Sequence, residues 1–375
     1  MEQLFLKETR NLVVAGTHGK TTTSSLLAHV LVTCQTEPSY FIGGVSQDLP
    51  FSFQVSHLDA GRFFILEGDE YDTAFWDKVP KFNHYLPDDV ILTSVEYDHA
   101  DIYPDLNAVI RAFEGLVSRV RSGGRMIACF DYLTVRELMK QSKVPVISYG
   151  TSIESTAQFT PGRVRIENGM TQFEVLDQGR VVDEISIQIP GMHNVLNALA
   201  VWIECRQLEL DPEKVRKGFR TFRGVKRRQE VRGEVGGVLV IDDFAHHPTA
   251  VRETLKALRS KYPKRRLLSI FEPRSATSRR KVFQKDYANA FQEADLVIIS
   301  SPYDQTRIAA DDQFSSDALV DDLKKLGKDA HLMDSVEAGV QQVCQKAQPN
   351  DLVAVLSNGG FGGFIPKLLE ALKKR

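Results

Sequence analysis

The chain has 375 residues, 42% of them hydrophobic and 26% charged, with a formal net charge of −2. That length accommodates two or three domains, and the near-neutral balance gives no overall basic field for nucleic acid or for an anionic membrane surface. Cys34, Cys129, Cys205 and Cys344 lack C-x-x-C spacing and sit in apolar surroundings, no apolar run reaches membrane-spanning length, and the first residues do not read as a signal peptide; these features argue against a disulfide framework or a zinc site and predict four buried thiols in a reducing cytoplasm.

In chain order, Leu12-Val13-Val14-Ala15 is a buried-strand pattern that runs into Gly16-Thr17-His18-Gly19-Lys20-Thr21. Residues 22–32 then carry apolar positions at helical spacing. Strands are expected at 63–66, 90–95 and 126–130, with a helix over 106–121. Alternating strand and helix predicts a parallel sheet with crossover helices. Over 158–189 the pattern becomes alternating, with turn signals at Glu167-Asn168-Gly169 and Asp177-Gln178-Gly179, which predicts a small antiparallel meander. Helices follow near 195–207 and 212–219. A second strand–helix series begins after Phe222-Arg223-Gly224. Its strands are expected at 238–242, 267–271, 296–300 and 352–356, and its helices near 248–261, 281–293, 316–326 and 335–346. The expected fold class is therefore α/β, with a first domain over 1–223 and a doubly wound, Rossmann-like domain over 224–375.

Chemistry-bearing residues cluster at strand exits. In the glycine loop, backbone N–H groups and the following helix N-terminus suit a phosphate. Lys20 can reach the β- and γ-phosphates, and the Thr21 hydroxyl can ligate Mg²⁺. The loop is a variant of the strict phosphate-loop pattern, because Val14 stands where that pattern has glycine. Two acidic segments, Glu67-Gly68-Asp69-Glu70-Tyr71-Asp72 and Glu96-Tyr97-Asp98-His99-Ala100-Asp101, follow the next two strands and should open onto the same sheet edge. Gly191-Met192-His193-Asn194-Val195-Leu196-Asn197 opens a helix, either as capping chemistry or as paired donors and acceptors for a purine edge. Arg227-Arg228 is a basic hinge that suits a phosphate or a solvated charge run; Arg228 is the favoured phosphate ligand. Asp242-Asp243-Phe244-Ala245-His246-His247-Pro248 ends a strand at a helix switch. Arg274 follows another strand and suits a substrate carboxylate. Ser357-Asn358-Gly359 follows the last strand, where glycine permits close approach of a ligand.

Taken together, these segments resemble the Mur ligases. Ala15-Gly16-Thr17-His18-Gly19-Lys20-Thr21-Thr22-Thr23 is similar to their ATP loop. Glu67 matches the glutamate that ligates a metal with the loop threonine, and His99 matches a histidine on a second Mg²⁺. The place of a carbamylated lysine found in many members is Phe113. The resemblance implies adenine contacts from His193, Asn194 and Asn197, a γ-phosphate contact from Arg228, and closure over ATP by the segment holding Asp242, His246 and His247. It implies a central phosphate-loop ATPase-like domain with an antiparallel addition and a Rossmann-like C-terminal domain. The family's N-terminal UDP-binding domain is expected to be absent.

The segments around Arg274 and around Ser357-Asn358-Gly359 look like those of the murein-recycling branch. That branch joins UDP-N-acetylmuramate to the tripeptide L-Ala-γ-D-Glu-meso-diaminopimelate through an acyl phosphate, with ATP and Mg²⁺. In that chemistry Lys20, Arg228 and Mg²⁺ offset charge on the transferring group, and His246 or His247 takes the proton of the amine. Nucleic acid and membrane are not expected partners, and oligomeric state is open. The alternatives are a muramate–alanine ligase, a phosphate-loop hydrolase, and an ATP-binding remnant without ligase activity.

Overall fold

The computed structural model describes residues 5–56, 62–151 and 156–375. They divide into two compact units, Met1–Lys226 and Arg227–Arg375. None of the described helices is long and apolar enough to cross a membrane.

In the first unit, Leu12-Val13-Val14-Ala15 is buried on both faces, as a strand at the centre of a parallel sheet must be. Side chains alternate across it. Leu12 and Val14 join a core with the helices Lys20–Thr33, Met192–Gln207 and Pro212–Thr221, while Val13 and Ala15 join one with Leu106–Ser118 and Leu133–Met139. Arg10–Ala15 lies between Asp89–Leu92 and Phe63–Gly68, both parallel to it. On one side the sheet continues through Arg125–Cys129 and Val146–Tyr149. On the other it ends in Ser39–Phe41 and Phe53–Gln54.

The antiparallel meander forms as Phe159–Glu167, Met170–Asp177 and Arg180–Ile187. It is not a separate addition: Phe159 pairs with Tyr149, so the parallel sheet runs directly into it. Asn168-Gly169 and Gln178-Gly179 all have positive φ, the backbone of tight hairpin turns. The strand expected over 90–95 ends at Leu92, because Thr93 and Ser94 turn to meet the glycine loop.

At the strand ends away from that loop lies a buried charge cluster. Arg10 donates to both oxygens of Asp89, at 2.7 and 2.8 Å, and Arg125 lies 3.3 Å from Asp89. Glu204 is fully buried beside them. Burial first, and then the Asp89 charge, push the Glu204 carboxyl well above the usual carboxylate range.

The second unit holds a six-stranded sheet among the described residues, in the order Glu230–Val235, Val238–Asp243, Leu352–Leu356, Leu267–Phe271, Leu296–Ser300, Asp329–Met333. All neighbours are parallel except the first pair. Leu352–Leu356, last in sequence, is inserted between two earlier strands, which places the strand exits at Asp243, Phe271 and Leu356 side by side. The helix expected over 281–293 is shorter than its pattern, a 3₁₀ turn Lys281–Phe283 followed by Gln284–Ala290. The four thiols are free, but only Cys129 and Cys205 are buried; Cys34 and Cys344 are half-buried, since each sits at a helix end rather than on an inner face.

With its pKa raised, folded Glu204 holds its proton to higher pH than an unfolded glutamate, which loses it above about pH 4.3. Folding therefore takes up a proton, and this site's contribution to stability falls as pH rises above that point. Glu204→Gln needs no proton. In urea unfolding, its stability relative to the parent chain should rise between about pH 5 and pH 8, by at most about 1.4 kcal/mol per pH unit. A difference that stays constant with pH would count against a raised Glu204 pKa.

Candidate functional site

In the first unit the chain leaves Arg10–Ala15 at Gly16 and enters the helix Lys20–Thr33. Gly16 has φ +134°, and a Cβ there would stand 2.2 Å from Thr93 Oγ1, so only glycine fits. The N-cap Gly19 is left-handed and supplies no side-chain cap, which leaves the first-turn amides for an anion. The segment beyond Asp89–Leu92 braces the loop. The Thr17 N–H donates to Ser94 O at 3.0 Å, the His18 N–H donates to Ser94 Oγ at 3.0 Å, and the Glu96 N–H donates to Thr17 Oγ1 at 2.8 Å. His18 Nε2 lies 3.0 Å from Glu96 Oε2. Thr22 is buried in the first helical turn.

Lys20 Nζ folds back onto Gly16 O at 2.7 Å and meets Glu70 at 2.8 and 3.0 Å. Burial opposes its charge, but Glu70 outweighs burial and the Lys20 pKa lies above its ordinary value. Burial likewise opposes the Glu70 carboxylate, yet Lys20 and then His99 hold its pKa down to about 2. His99 Nε2 is 2.9 Å from Glu70 Oε1. Burial works against the imidazolium, and the Glu70 hydrogen bond overrides it and raises the His99 pKa. Tyr71 packs its ring 4.3 Å from that of His99, and Tyr103 OH donates to Glu70 O at 2.7 Å.

Thr21 Oγ1 donates to Glu67 Oε1 at 2.7 Å, and Gly43 N–H donates to Glu67 Oε2 at 2.6 Å. The structure thus forms two adjacent groups, Thr21 with Glu67 and Lys20 with Glu70 and His99. Glu70 is the residue that sequence reasoning quoted but did not select. The strand runs to Gly68, not to Leu66, so Glu67 is still within it, and Asp69 is taken by Lys81. Glu70 is the next carboxylate clear of the strand.

His193, Asn194 and Asn197 open the helix Met192–Gln207. Asn194 donates to Pro190 O at 2.7 Å and accepts from Asn197 Nδ2 at 3.2 Å. Asn197 Oδ1 stands 2.7 Å from where a Gly19 Cβ would be, so this segment lies against the glycine loop. His193 is half-buried beside it.

In the second unit, Arg227 donates to Ser357 O at 2.6 Å and Gly359 O at 2.7 Å, and Arg228 stacks 4.4 Å over the Phe244 ring. Asp242 pairs with Arg232 at 2.9 Å and Arg227 at 3.8 Å; burial nonetheless raises its pKa. His246 Nδ1 lies 3.0 Å from Phe244 O, while His247 Nδ1 accepts the Thr249 N–H at 3.2 Å and caps the helix Pro248–Lys261. The two imidazoles therefore differ in tautomer. His246 Nδ1 faces a carbonyl oxygen and donates, whereas His247 Nδ1 accepts, so a neutral His247 carries its proton on Nε2.

Arg274 lies against Gly359, where a Cβ would stand 2.1 Å from Arg274 Nε. It reaches Glu272 at 3.4 Å, and Glu272 accepts the Ser357 hydroxyl. Asn358 Oδ1 is buried without a hydrogen-bond partner among the described residues. Arg274, Ser357, Asn358 and Gly359 thus form one cluster at neighbouring strand exits.

Residues 14–204 match the Mur ligase middle domain, and residues 227–359 match the Mur ligase glutamate ligase domain. The chain is 36% identical over 380 residues to a UDP-N-acetylmuramate–L-alanyl-γ-D-glutamyl-meso-2,6-diaminoheptandioate ligase of Escherichia coli, covering 100% of this chain and 78% of that protein. It is 31% identical over 366 residues to a UDP-N-acetylmuramate–L-alanine ligase of Geobacter sulfurreducens, covering 96% and 76%. Its fold is similar to the crystal structure of a murein peptide ligase from Psychrobacter arcticus, with TM-score 0.70, 28% identity and coverage of 100% and 79%.

Replacing Glu70 by Gln removes the counter-charge of Lys20 and leaves burial acting against the ammonium. The Lys20 pKa should fall in Glu70→Gln, followed by NMR titration of its Cε resonance. A Lys20 pKa unmoved by the substitution would show that Glu70 is not what holds the proton.

Proposed function

The chain belongs to the Mur ligase family, an ATP-dependent amide-bond-forming ligase family, and from that premise we propose that it joins UDP-N-acetylmuramate to L-Ala-γ-D-Glu-meso-diaminopimelate. The reading is carried by the 36% identity, over all of this chain, to a ligase named for that peptide. The Arg274 cluster supports it, as a fork fit for a carboxylate on the incoming amine substrate.

The reaction has two steps. The muramyl carboxylate attacks the γ-phosphorus of ATP and gives an acyl phosphate and ADP. The amino group of the peptide's L-Ala then attacks the acyl carbon, phosphate leaves, and the amide forms. The glycine loop and the helix behind it bind the phosphates, with Lys20 as the mobile cation, released from Glu70 to a phosphate oxygen. Arg228 is the second-unit candidate for the γ-phosphate, and Asp242 for the nucleotide. His193, Asn194 and Asn197 form the adenine edge.

Thr21 and Glu67 offer hard oxygen donors 2.7 Å apart, a set that fits Mg²⁺, and His99 is the candidate ligand of a second ion. Bound Mg²⁺ supplies charge neutralisation on the phosphates. The proton lost by the amine goes to His246 or His247, which stand together at the exit of Val238–Asp243.

Purified protein with Mg-ATP, UDP-N-acetylmuramate and equal amounts of L-alanine and tripeptide should yield UDP-muramyl-tripeptide by mass spectrometry. UDP-muramyl-alanine instead would move the reading to the alanine ligases, which also resemble this chain. ATP binding without any product would move it to a remnant. In the same assay Lys20→Ala should lower kcat by about a hundredfold or more, the range for a lost charge-stabilising group; turnover within a few-fold of the parent would remove Lys20 from the chemistry.

A further inference from the structure

Arg274 is held by more than the site needs for packing. Its guanidinium carbon lies 3.8 Å from the centroid of the Tyr303 ring. A guanidinium has five N–H donors, and the contact seen among the described residues is a long one, 3.4 Å to Glu272 Oε1. The group is about two-thirds buried, with 30% of the side chain accessible. A cation so placed, stacked on one aromatic face and pressed against the bare Cα of Gly359, has donors to spare and little freedom to turn.

Tyr303 has no core duty to explain its place, since it is 49% exposed. Its backbone is fixed instead. The Tyr303 N–H donates to Pro273 O at 2.9 Å, one residue before Arg274, and Arg279 donates to Tyr303 O at 3.4 Å and to Asp304 O. The loop beyond Leu296–Ser300 is thereby fastened to the loop beyond Leu267–Phe271, ring over guanidinium. No hydrogen bond of the Tyr303 hydroxyl occurs among the described residues. The ring face is the part that acts.

We infer that Tyr303 is a positioning residue that holds Arg274 in place to receive a carboxylate of the incoming amine substrate. The inference rests on the reading of Arg274 given above, and it adds a residue that acts through Arg274 without touching substrate. A stacked arginine loses less side-chain freedom on binding, so the stack should appear in substrate affinity and not in the rate of the bound complex.

The test compares the parent protein, Tyr303→Phe, Tyr303→Leu, Arg274→Ala and the Arg274→Ala/Tyr303→Leu double variant. KM is measured for the tripeptide, for L-alanine and for ATP. Tyr303→Leu should raise KM for the amine substrate roughly three- to tenfold, with kcat and the KM for ATP within about twofold. Tyr303→Phe should match the parent, and Tyr303→Leu should add nothing once Arg274 is gone. An effect of Tyr303→Leu that persists in the Arg274→Ala background would overturn the inference, and so would a shift confined to ATP, which would place Arg274 on a phosphate.

If the protein uses L-alanine in place of the tripeptide, the proposed function fails, while the same pattern measured on alanine sustains the role of Tyr303. A readout without turnover decides the remaining case. The Arg274 Nε–H resonance, assigned by its loss in Arg274→Lys, should carry the ring-current shift of Tyr303, keep it in Tyr303→Phe and lose it in Tyr303→Leu. A resonance unmoved in Tyr303→Leu would overturn the inference whatever the substrate proves to be.

Discussion

An ammonium group carried into a protein interior has to meet a counter-charge, and the first unit is arranged around how Lys20 meets one. The glycine loop turns its lysine inward, where water no longer stabilises the charge. Glu70 supplies the compensation, and it is itself tied by His99 and by the Tyr103 hydroxyl on its carbonyl. Each partner arrives from a different strand exit. Lys20 follows Arg10–Ala15, Glu70 follows Phe63–Gly68, and His99 follows Asp89–Leu92. These strands are parallel neighbours, so their carboxyl ends open at one edge, and the charge network can close only there. The same constraint explains why the strand Asp89–Leu92 stops early: its exit residues are spent bracing the loop.

The second unit solves a related problem with arginine. Arg227 reaches the carbonyls of Ser357 and Gly359, Arg274 lies over the bare backbone of Gly359, and Arg228 lies on Phe244. Planar guanidinium groups can be fixed by carbonyls and aromatic faces while keeping donors unspent, which a lysine cannot do. The strand order that inserts Leu352–Leu356 between Val238–Asp243 and Leu267–Phe271 brings these groups together. His246 and His247, adjacent in sequence, differ in what their Nδ1 atoms touch.

Much of this was legible in the sequence because the features are local. A glycine loop between an apolar run and a helical pattern, paired turn signals around an alternating stretch, and acidic or histidine segments after strands each declare themselves within a few residues. What was not legible depends on distance in the chain. Glu70 is one of several carboxylates in its segment, and only the length of Phe63–Gly68 and the capture of Asp69 by Lys81 single it out. Tyr303 lies 29 residues from Arg274 (303 − 274), and no local pattern joins them. The edge strand Asp329–Met333 and the hairpin strands Asp72–Ala74 and Asp77–Pro80 are too short or too polar to register as strands. Cys34 and Cys344 look as apolar in context as Cys129 and Cys205, and only their places at helix ends keep them half-exposed.

The close approach of Gly359 to Arg274 also bears on how such a site changes over time. A side chain at 359 and an arginine at 274 compete for one volume, so residue 359 cannot grow while Arg274 keeps its place. A lineage moving toward a smaller or uncharged amine substrate would have to shorten residue 274 before residue 359 could grow, because the reverse order passes through an intermediate in which the two collide. The order of substitutions is thus imposed by sterics. The arginine is then the side that is hard to recover, because a side chain that has grown at 359 fills the space Arg274 occupied.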